Sequence, residues 1–181
     1  MTEQEIEDAL AALGQELQRL GVQAPIRVLV VGGAFMLTQI HNRPATKDID
    51  VLLKDIDDPS ASALYPLLQA AVRSVAVQQQ WPITWFNDVI GDALRNNGIV
   101  PQGTLWRTYG ALEVYMPEAE YILALKLLAG RPQDTPDIQA LISQLGIQTR
   151  DQAQQALDRY IPDRQVQQLN QAPMTLQRMF P

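Results

Sequence analysis

Two aspartates, Asp48 and Asp50, stand one residue apart in a short apolar segment. Side chains two residues apart on a β-strand point to the same face, so both carboxylates would face one way while Ile49 enters the core. Neighbouring carboxylates repel each other unless a cation lies between them. Hard divalent ions take oxygen ligands and usually bring substrate phosphates with them. The pair therefore predicts a metal site for Mg²⁺ or Mn²⁺.

A glycine pair precedes these aspartates, where the apolar run Val28–Val31 ends at Gly32 and Gly33. Glycines allow close backbone approach, and the N–H groups that open the next helix suit phosphate. A tight strand-to-helix turn without a ligand explains the same pair. The carboxylates have a similar alternative, a solvated face on which Arg43 and Lys47 pair with them. Together, the glycine pair and the carboxylate pair predict a metal–nucleotide site.

A second group of charged residues lies downstream. Lys126 stands in an apolar helical segment, so it either extends outward or is held inside by anionic partners. Arg131 has the fork that binds a triphosphate or a carboxylate. Asp134 and Asp137 stand where a helix begins, and acids there satisfy free N–H groups and the helix dipole. The segment predicts either a phosphate-binding site or helix-terminal and surface charges.

The pattern resembles the signature of the DNA polymerase beta-like nucleotidyltransferases. In that superfamily a small-residue pair opens a helix and a later strand carries Asp-x-Asp, as Gly32-Gly33 and the aspartate pair do. The Arg-x-x-Thr-x-Asp-Ile-Asp return in Arg43–Asp50 is similar to a bacterial branch that includes the nucleotidyltransferase toxins of abortive-infection systems. The Lys-x-x-Ala-x-Arg and Asp-x-x-Asp order in Lys126–Asp137 is similar to the same branch. The resemblance covers residues 27–145.

The resemblance implies Mg²⁺-dependent transfer of a nucleoside monophosphate from an NTP to a hydroxyl of an RNA end or a protein. It also implies a toxin–antitoxin pair, with an antitoxin protein as partner. Asp88 is the alternative to Glu113 as the third metal ligand, and Asp134 is the second choice for the acid near the lysine. The implied roles fall to Asp48, Asp50, Lys126 and Asp137 in catalysis, to Gly32, Gly33, Thr46 and Arg131 in nucleotide binding, and to Asp48, Asp50 and Glu113 at the metal.

Two other function classes stay open. The first is a binding or regulatory protein that keeps the nucleotidyltransferase fold without catalysis, because the third carboxylate does not match cleanly in spacing. The second is a dinucleotide-binding protein, because a glycine turn followed by an acid about 20 residues later is typical of that fingerprint. Against the second class, the segment after Gly32-Gly33 lacks the third glycine.

Composition narrows the class of protein. The 181 residues suffice for one domain with its own core. The net charge of −6 argues against a broad nucleic-acid groove and leaves a local basic patch open. The absence of cysteine excludes thiol catalysis and disulfides, and with His41 as the sole histidine no transition-metal site is expected. Without an apolar run of about 18 residues or a signal segment, a cytoplasmic protein with no membrane span is expected.

Periodicity predicts the elements that must position these residues. The apolar seam between Ile6 and Leu20 predicts an N-terminal helix, and the pattern after Pro117 is helical. The expected fold is α+β, a small mixed β-sheet of the nucleotidyltransferase fold with a helical C-terminal half. It forms a single domain over 1–181, with a core at 22–145 and an extension at 146–181. Strands are predicted at 28–31, 48–53, 83–86, 104–106 and 111–116, helices at 58–77 and from after Asn87-Asp88 to Arg95, and helix breaks at Pro132, Gly146, Pro162 and Pro173.

Overall fold

The structure, a computed structural model, describes residues 1–54, 59–89, 91, 94, 101 and 103–181, with only the backbone at 59–62. These residues form eight α-helices and a five-stranded mixed sheet, which confirms the mixed α and β class. The strands are β1 (Ile26–Val31), β2 (Ile49–Leu53), β3 (Phe86–Asn87), β4 (Thr104–Tyr109) and β5 (Leu112–Met116). The helices are α1 (Glu3–Arg19), α2 (Gly32–Phe35), α3 (Pro59–Gln79), α4 (Ala119–Ala129), α5 (Thr135–Gln144), α6 (Arg150–Tyr160), α7 (Arg164–Leu169) and α8 (Ala172–Met179).

The chain forms two compact units, Met1–Pro117 and Glu118–Pro181. The first contains the sheet with α1, α2 and α3, and the second is helical throughout its ordered elements. The division lies at Pro117, where the sequence pattern becomes helical. The single domain with an extension from residue 146 stays a prediction. No helix in the described part of the chain is long and apolar enough to cross a membrane.

The sheet has the strand order β3-β2-β1-β5-β4. β1 pairs antiparallel with β2 and parallel with β5, while β3 is parallel to β2 and β4 is antiparallel to β5. In this register the last residue of β1, Val31, lies opposite Asp50. The end of β1 therefore meets the start of β2, where the aspartate pair stands.

Burial along β2 follows the predicted alternation at its start. Ile49 and Val51 are fully buried, whereas Asp48 and Asp50 are half-buried. Because successive side chains of a strand point to opposite faces, Ile49 and Val51 face the core and the two carboxylates lie on the opposite face. The apolar positions of β2 thus orient both aspartates.

Helix α1 covers the sheet through an apolar seam. Its start is a capping box in which the Thr2 and Glu5 side chains satisfy each other's backbone N–H groups. Gly14 lies where the helix meets the sheet, since a β-carbon there would be 1.8 Å from the carbonyl oxygen of Tyr109. The buried residues of the seam are Ile6, Leu10, Leu13 and Leu17.

The segment after α3 differs from its predicted strand. Residues 83–86 were expected to be extended, but the backbone N–H of Trp85 donates to the carbonyl of Pro82 at 3.0 Å, which closes a turn. The buried Trp85 ring donates its Nε1–H to the carbonyl of Val72 at 3.1 Å. Only Phe86–Asn87 joins the sheet. Asp58, where the helix at 58–77 was expected to begin, and most of the helix expected between Asp88 and Arg95 lie outside the described residues.

In the second unit, α4 packs against α5, α6 and α8. Gln167 anchors α7, because its side chain is buried and bonded on several sides. Its Nε2 group donates to Oδ1 of Asp158 at 2.8 Å and to the carbonyl of Ile161 at 2.7 Å. The helix break expected at Pro173 lies just before it, between α7 and α8, and Pro173 stands in the first turn of α8, where its missing N–H costs nothing.

Candidate functional site

The turn between β1 and α2 is built on Gly32. Its φ is +63°, in the left-handed region that glycine adopts at little cost. A β-carbon at this position would lie 2.5 Å from Oδ2 of Asp50. This close approach follows from the register, because Asp50 lies opposite Val31, the neighbour of Gly32. The structure therefore brings the first glycine and the second aspartate into direct contact.

Gly33 faces the loop that returns the chain to β2. A β-carbon there would lie 2.4 Å from Oγ1 of Thr46 and 3.0 Å from Nη1 of Arg43. The Thr46 hydroxyl also donates to the carbonyl of Asp48 at 3.2 Å. The return loop is thus folded against the glycine turn, with a hydroxyl and a guanidinium at the second glycine.

These residues form one cluster within the first unit. All are half-buried, so each is held by its neighbours while remaining accessible to solvent. Side chains in such a position bind ligands with less loss of conformational freedom than exposed ones. We name the following set the glycine–aspartate cluster: Gly32, Gly33, Arg43, Thr46, Asp48 and Asp50.

The start of the chain supports the return loop. The backbone N–H of Thr46 donates to the carbonyl of Met1 at 2.9 Å. His41, with a φ of +55°, lies at the end of the π-helical turn Met36–Ile40 that continues α2. Its Nδ1 is 3.8 Å from a carboxylate oxygen of Glu3, and its side chain is exposed.

The donor set of the aspartate pair fits Mg²⁺ bound together with a nucleotide. Asp48 and Asp50 offer carboxylate oxygens, the ligand type that Mg²⁺ prefers. Within the residues that the structure describes, no three or more acidic, histidine or cysteine side chains converge on a common point. Because Mg²⁺ is usually bound through one or two carboxylates and substrate phosphates, two aspartates are sufficient on the protein side.

Glu113, the expected third metal ligand, is not brought to this pair. It lies in register with Arg27, four residues before Val31, the residue opposite Asp50. Four strand residues span about 13 Å. Its Oε2 accepts a hydrogen bond from the hydroxyl of Tyr115 at 3.0 Å. Glu113 therefore lies at the level of the start of β1, away from the aspartate pair.

Asp88 is the alternative to Glu113 as the third metal ligand. It directly follows Asn87, which lies beside Asp50. The parallel register of β2 and β3 matches Asp50 with Asn87, so Asp88 comes one position later. Asn87 was not singled out from the sequence. The segment has no local motif that distinguishes it, and only the pairing of β3 with β2 shows its position.

A separate cluster lies in the second unit. The Lys126 ammonium is 2.9 Å from Oδ1 of Asp134 and 2.7 Å from Oδ2 of Asp137. The side chains of Lys126 and Asp137 are 9% and 3% exposed. Of the two alternatives for the lysine, the structure shows the second, in which anionic partners hold it inside. We name Lys126, Asp134 and Asp137 the lysine–aspartate cluster.

Charge balance alone accounts for this second cluster. A buried ammonium without a counter-ion is costly, and two carboxylates compensate for its lost hydration. Arg131, expected to bind phosphate, is exposed and forms no ion pair with any residue that the structure describes. It belongs to the turn before α5, where its carbonyl accepts from the N–H of Asp134 at 3.0 Å.

The pairing of β1 with β2 does not fit the dinucleotide-binding alternative. In that fingerprint the glycine turn leads through a helix to a strand parallel to the first one. Here the strand that follows the glycine turn is antiparallel to β1. The glycine turn and the aspartate pair therefore meet at the same edge of the sheet, which a parallel crossover would not produce directly.

Comparisons with known proteins give no assignment. No family model matches the chain, and neither does any curated protein or solved structure. The function is therefore inferred from the geometry of the glycine–aspartate cluster.

Proposed function

We propose that the chain is a Mg²⁺-dependent nucleotidyltransferase that holds the metal and the phosphates of an NTP at the glycine–aspartate cluster. One observation carries the proposal, namely that both glycines are in contact with polar side chains of the return segment. Gly32 lies against the Asp50 carboxylate, and Gly33 lies against Thr46 and Arg43. A turn without a ligand needs glycine for its backbone angle, but it does not need these polar groups around it.

The cluster has complementary groups for a nucleotide. Arg43 supplies a guanidinium, whose N–H groups form charge-assisted hydrogen bonds with phosphate oxygens. The Thr46 hydroxyl is a further partner, and the glycines leave room for a phosphate to approach the backbone. When bound, Mg²⁺ would take Asp48 and Asp50 as ligands and neutralise charge on the phosphates.

The protein prepares this arrangement before substrate arrives. Asp50 is fixed by its place in β2, and Thr46 holds the backbone of Asp48 through a hydrogen bond to its carbonyl. Fixed carboxylates favour in-line attack because the reacting groups need little further ordering. The oxygen of the acceptor hydroxyl would form a bond to the α-phosphorus as its proton passes to solvent, and the bond to pyrophosphate would break, so that pyrophosphate leaves. The acceptor is a hydroxyl of an RNA end or of a protein, and the toxin role is a prediction from the resemblance.

A catalytically silent nucleotide-binding protein is the second candidate. The observation that favours it is the position of Glu113, which is in register with Arg27 rather than with the aspartate pair. Such a protein would bind NTP and Mg²⁺ without transferring a nucleotide. The same experiment distinguishes the two candidates.

The test is transfer of label from each α-labelled NTP, with Mg²⁺, into a mixture of total RNA and protein. We expect wild type to label one class of acceptor, and Asp48→Asn to lower the rate by more than about a hundredfold. Asp8→Asn, at an exposed position of α1, is the matched control and should label like wild type. Equal labelling by Asp48→Asn would refute the mechanism. Binding of NTP and Mg²⁺ without any label would favour the silent protein.

A further inference from the structure

Asn87 shares a face of the sheet with the aspartate pair, and the inference drawn from it rests on the proposed function. β3 and β2 run parallel, with Phe86 beside Ile49 and Asn87 beside Asp50. Residues at the same level of neighbouring strands point to the same face. Burial agrees, since Phe86 and Ile49 are buried while Asn87 and Asp50 are half-buried. The side chain next to Asp50 on β3 is therefore a carboxamide.

Two hydrogen bonds orient this carboxamide. Its Nδ2 donates to the carbonyl of Thr84 at 3.3 Å, and its Oδ1 accepts from the N–H of Val89 at 3.4 Å, as in an Asx turn. The amide oxygen has two lone pairs, so one acceptor direction remains after the bond from Val89. Carboxamide oxygens are ligands for hard divalent cations. Asn87 is thus held in place and keeps one lone pair for a ligand.

We propose that Asn87 is the third protein side chain at the metal held by Asp48 and Asp50. It supplies a neutral oxygen, so the site carries two negative charges from the protein. Because affinity for a hard cation rises with the number of charged ligands, such a site binds the metal weakly alone and more tightly with the phosphates of an NTP. Loading of the metal is then coupled to loading of the nucleotide.

The test titrates MnCl₂ into metal-free protein and measures free Mn²⁺ by electron paramagnetic resonance. We expect Asn87→Asp to lower the Kd for Mn²⁺ about tenfold, because it adds a charged ligand beside Asp50. We expect Asn87→Ala to raise the Kd severalfold. The Asp variant keeps an acceptor for the N–H of Val89, so it retains the Asx turn even where the Ala variant loses it. Gln79→Glu adds the same charge at an exposed position of α3 and should leave the Kd unchanged.

The outcomes separate this inference from the proposed function. If Asn87→Asp binds Mn²⁺ like wild type while Asp48→Asn loses binding, Asn87 is only a turn residue, and the metal site of the proposed function stands. If Asn87→Asp and Gln79→Glu tighten binding equally, the effect is general electrostatics and the inference is overturned. If neither wild type nor any variant binds Mn²⁺, with or without each NTP, the proposed metal site and the role of Asn87 are both refuted.

Discussion

At the scale of single residues, Gly32 combines two requirements that are usually met separately. Its φ of +63° favours glycine, and the Asp50 carboxylate occupies the space that a β-carbon would need. Gly21 has only the first requirement, with a φ of +83° and open space around a β-carbon. Substitutions at Gly32 and Gly21 therefore separate the effect of the backbone conformation from the effect of contact with the cluster.

We expect Gly32→Ala and Gly21→Ala each to lower the free energy of unfolding by about 1–2 kcal/mol through the left-handed backbone. Only Gly32→Ala should also displace the Asp50 carboxylate and weaken Mn²⁺ binding, by more than about tenfold. Urea denaturation and Mn²⁺ titration of both variants check this. Equal Mn²⁺ affinities in the two variants would show that the contact with Gly32 does not shape the site.

Lys126 allows a second test at this scale. Lys126→Met leaves the buried Asp137 carboxylate without its cation, so we expect a loss of about 3–5 kcal/mol in the free energy of unfolding. Adding Asp137→Asn to Lys126→Met should recover a large part of that loss, because the two residues interact directly. Arg131→Met, at an exposed position, is the control and should stay within about 0.5 kcal/mol of wild type. Urea denaturation measures all three. A loss no larger than that of the control would contradict a structural role for the ion pair.

The sequence predicted the local part of the candidate site and missed the part that depends on strand pairing. The glycine pair, Thr46 and the alternation of Asp48 and Asp50 follow from short-range patterns, and the structure brings them together. Asn87 has no such pattern, because its position depends on which strand β3 pairs with and in what register. The same information was missing for Glu113, which shares the sheet but lies at another level.

At the scale of elements, Glu16 connects two helices. Its carboxylate receives hydrogen bonds from Nε and Nη2 of Arg19, both at 2.7 Å. Arg19, and then a hydrogen bond with Ser74 of α3, lower the pKa of Glu16 from its ordinary value of 4.5 to about 2. The folded state therefore binds this carboxylate's proton less readily than the unfolded state does.

The lowered pKa predicts an acid-dependent contribution to stability. A depressed pKa stabilises the fold above pH 4.5, and the contribution is lost as the pH falls from 4.5 towards 2. Because Arg19 is largely exposed, its ion pair with Glu16 contributes only modestly to stability. We expect Glu16→Gln to lower the free energy of unfolding by about 1 kcal/mol near neutral pH and to leave it unchanged near pH 2. Urea denaturation at several pH values checks this. In an Arg19→Met background the difference should shrink, and a pH-independent difference would contradict the assignment.

Elements with strong apolar periodicity were predicted closely, and exposed ones were not. The expected helix between Ile6 and Leu20 corresponds to α1, and the expected strand at 28–31 lies within β1. β4 continues three residues beyond the expected end at Trp106. The sequence pattern missed these residues because most side chains of β4 are exposed and show no apolar alternation. Backbone hydrogen bonds to β5 define it instead.

At the scale of the whole molecule, local patterns predicted the mixed α and β class, but they do not show which elements pack together. The compact units divide at Pro117, and the single domain with an extension from residue 146 stays a prediction. Periodicity reports which face of a helix is buried, not which helix covers it. For example, α4 packs with α5, α6 and α8 into one unit, although α5 precedes residue 146 in the chain and α6 follows it.

One consequence follows from the place where α1 meets the sheet at Gly14. The carbonyl of Tyr109 occupies the position of any β-carbon there, so a slide of α1 by one turn would bring a side chain onto that carbonyl. Gly14 thus fixes the position of α1 along the sheet, and the chain between Gly14 and Met1 spans about 20 Å. Since the Met1 carbonyl accepts the N–H of Thr46, the length of α1 sets where the return loop is held. An insertion or deletion in α1 between Met1 and Gly14 would move the Met1 carbonyl away from Thr46 although it changes no residue of the cluster.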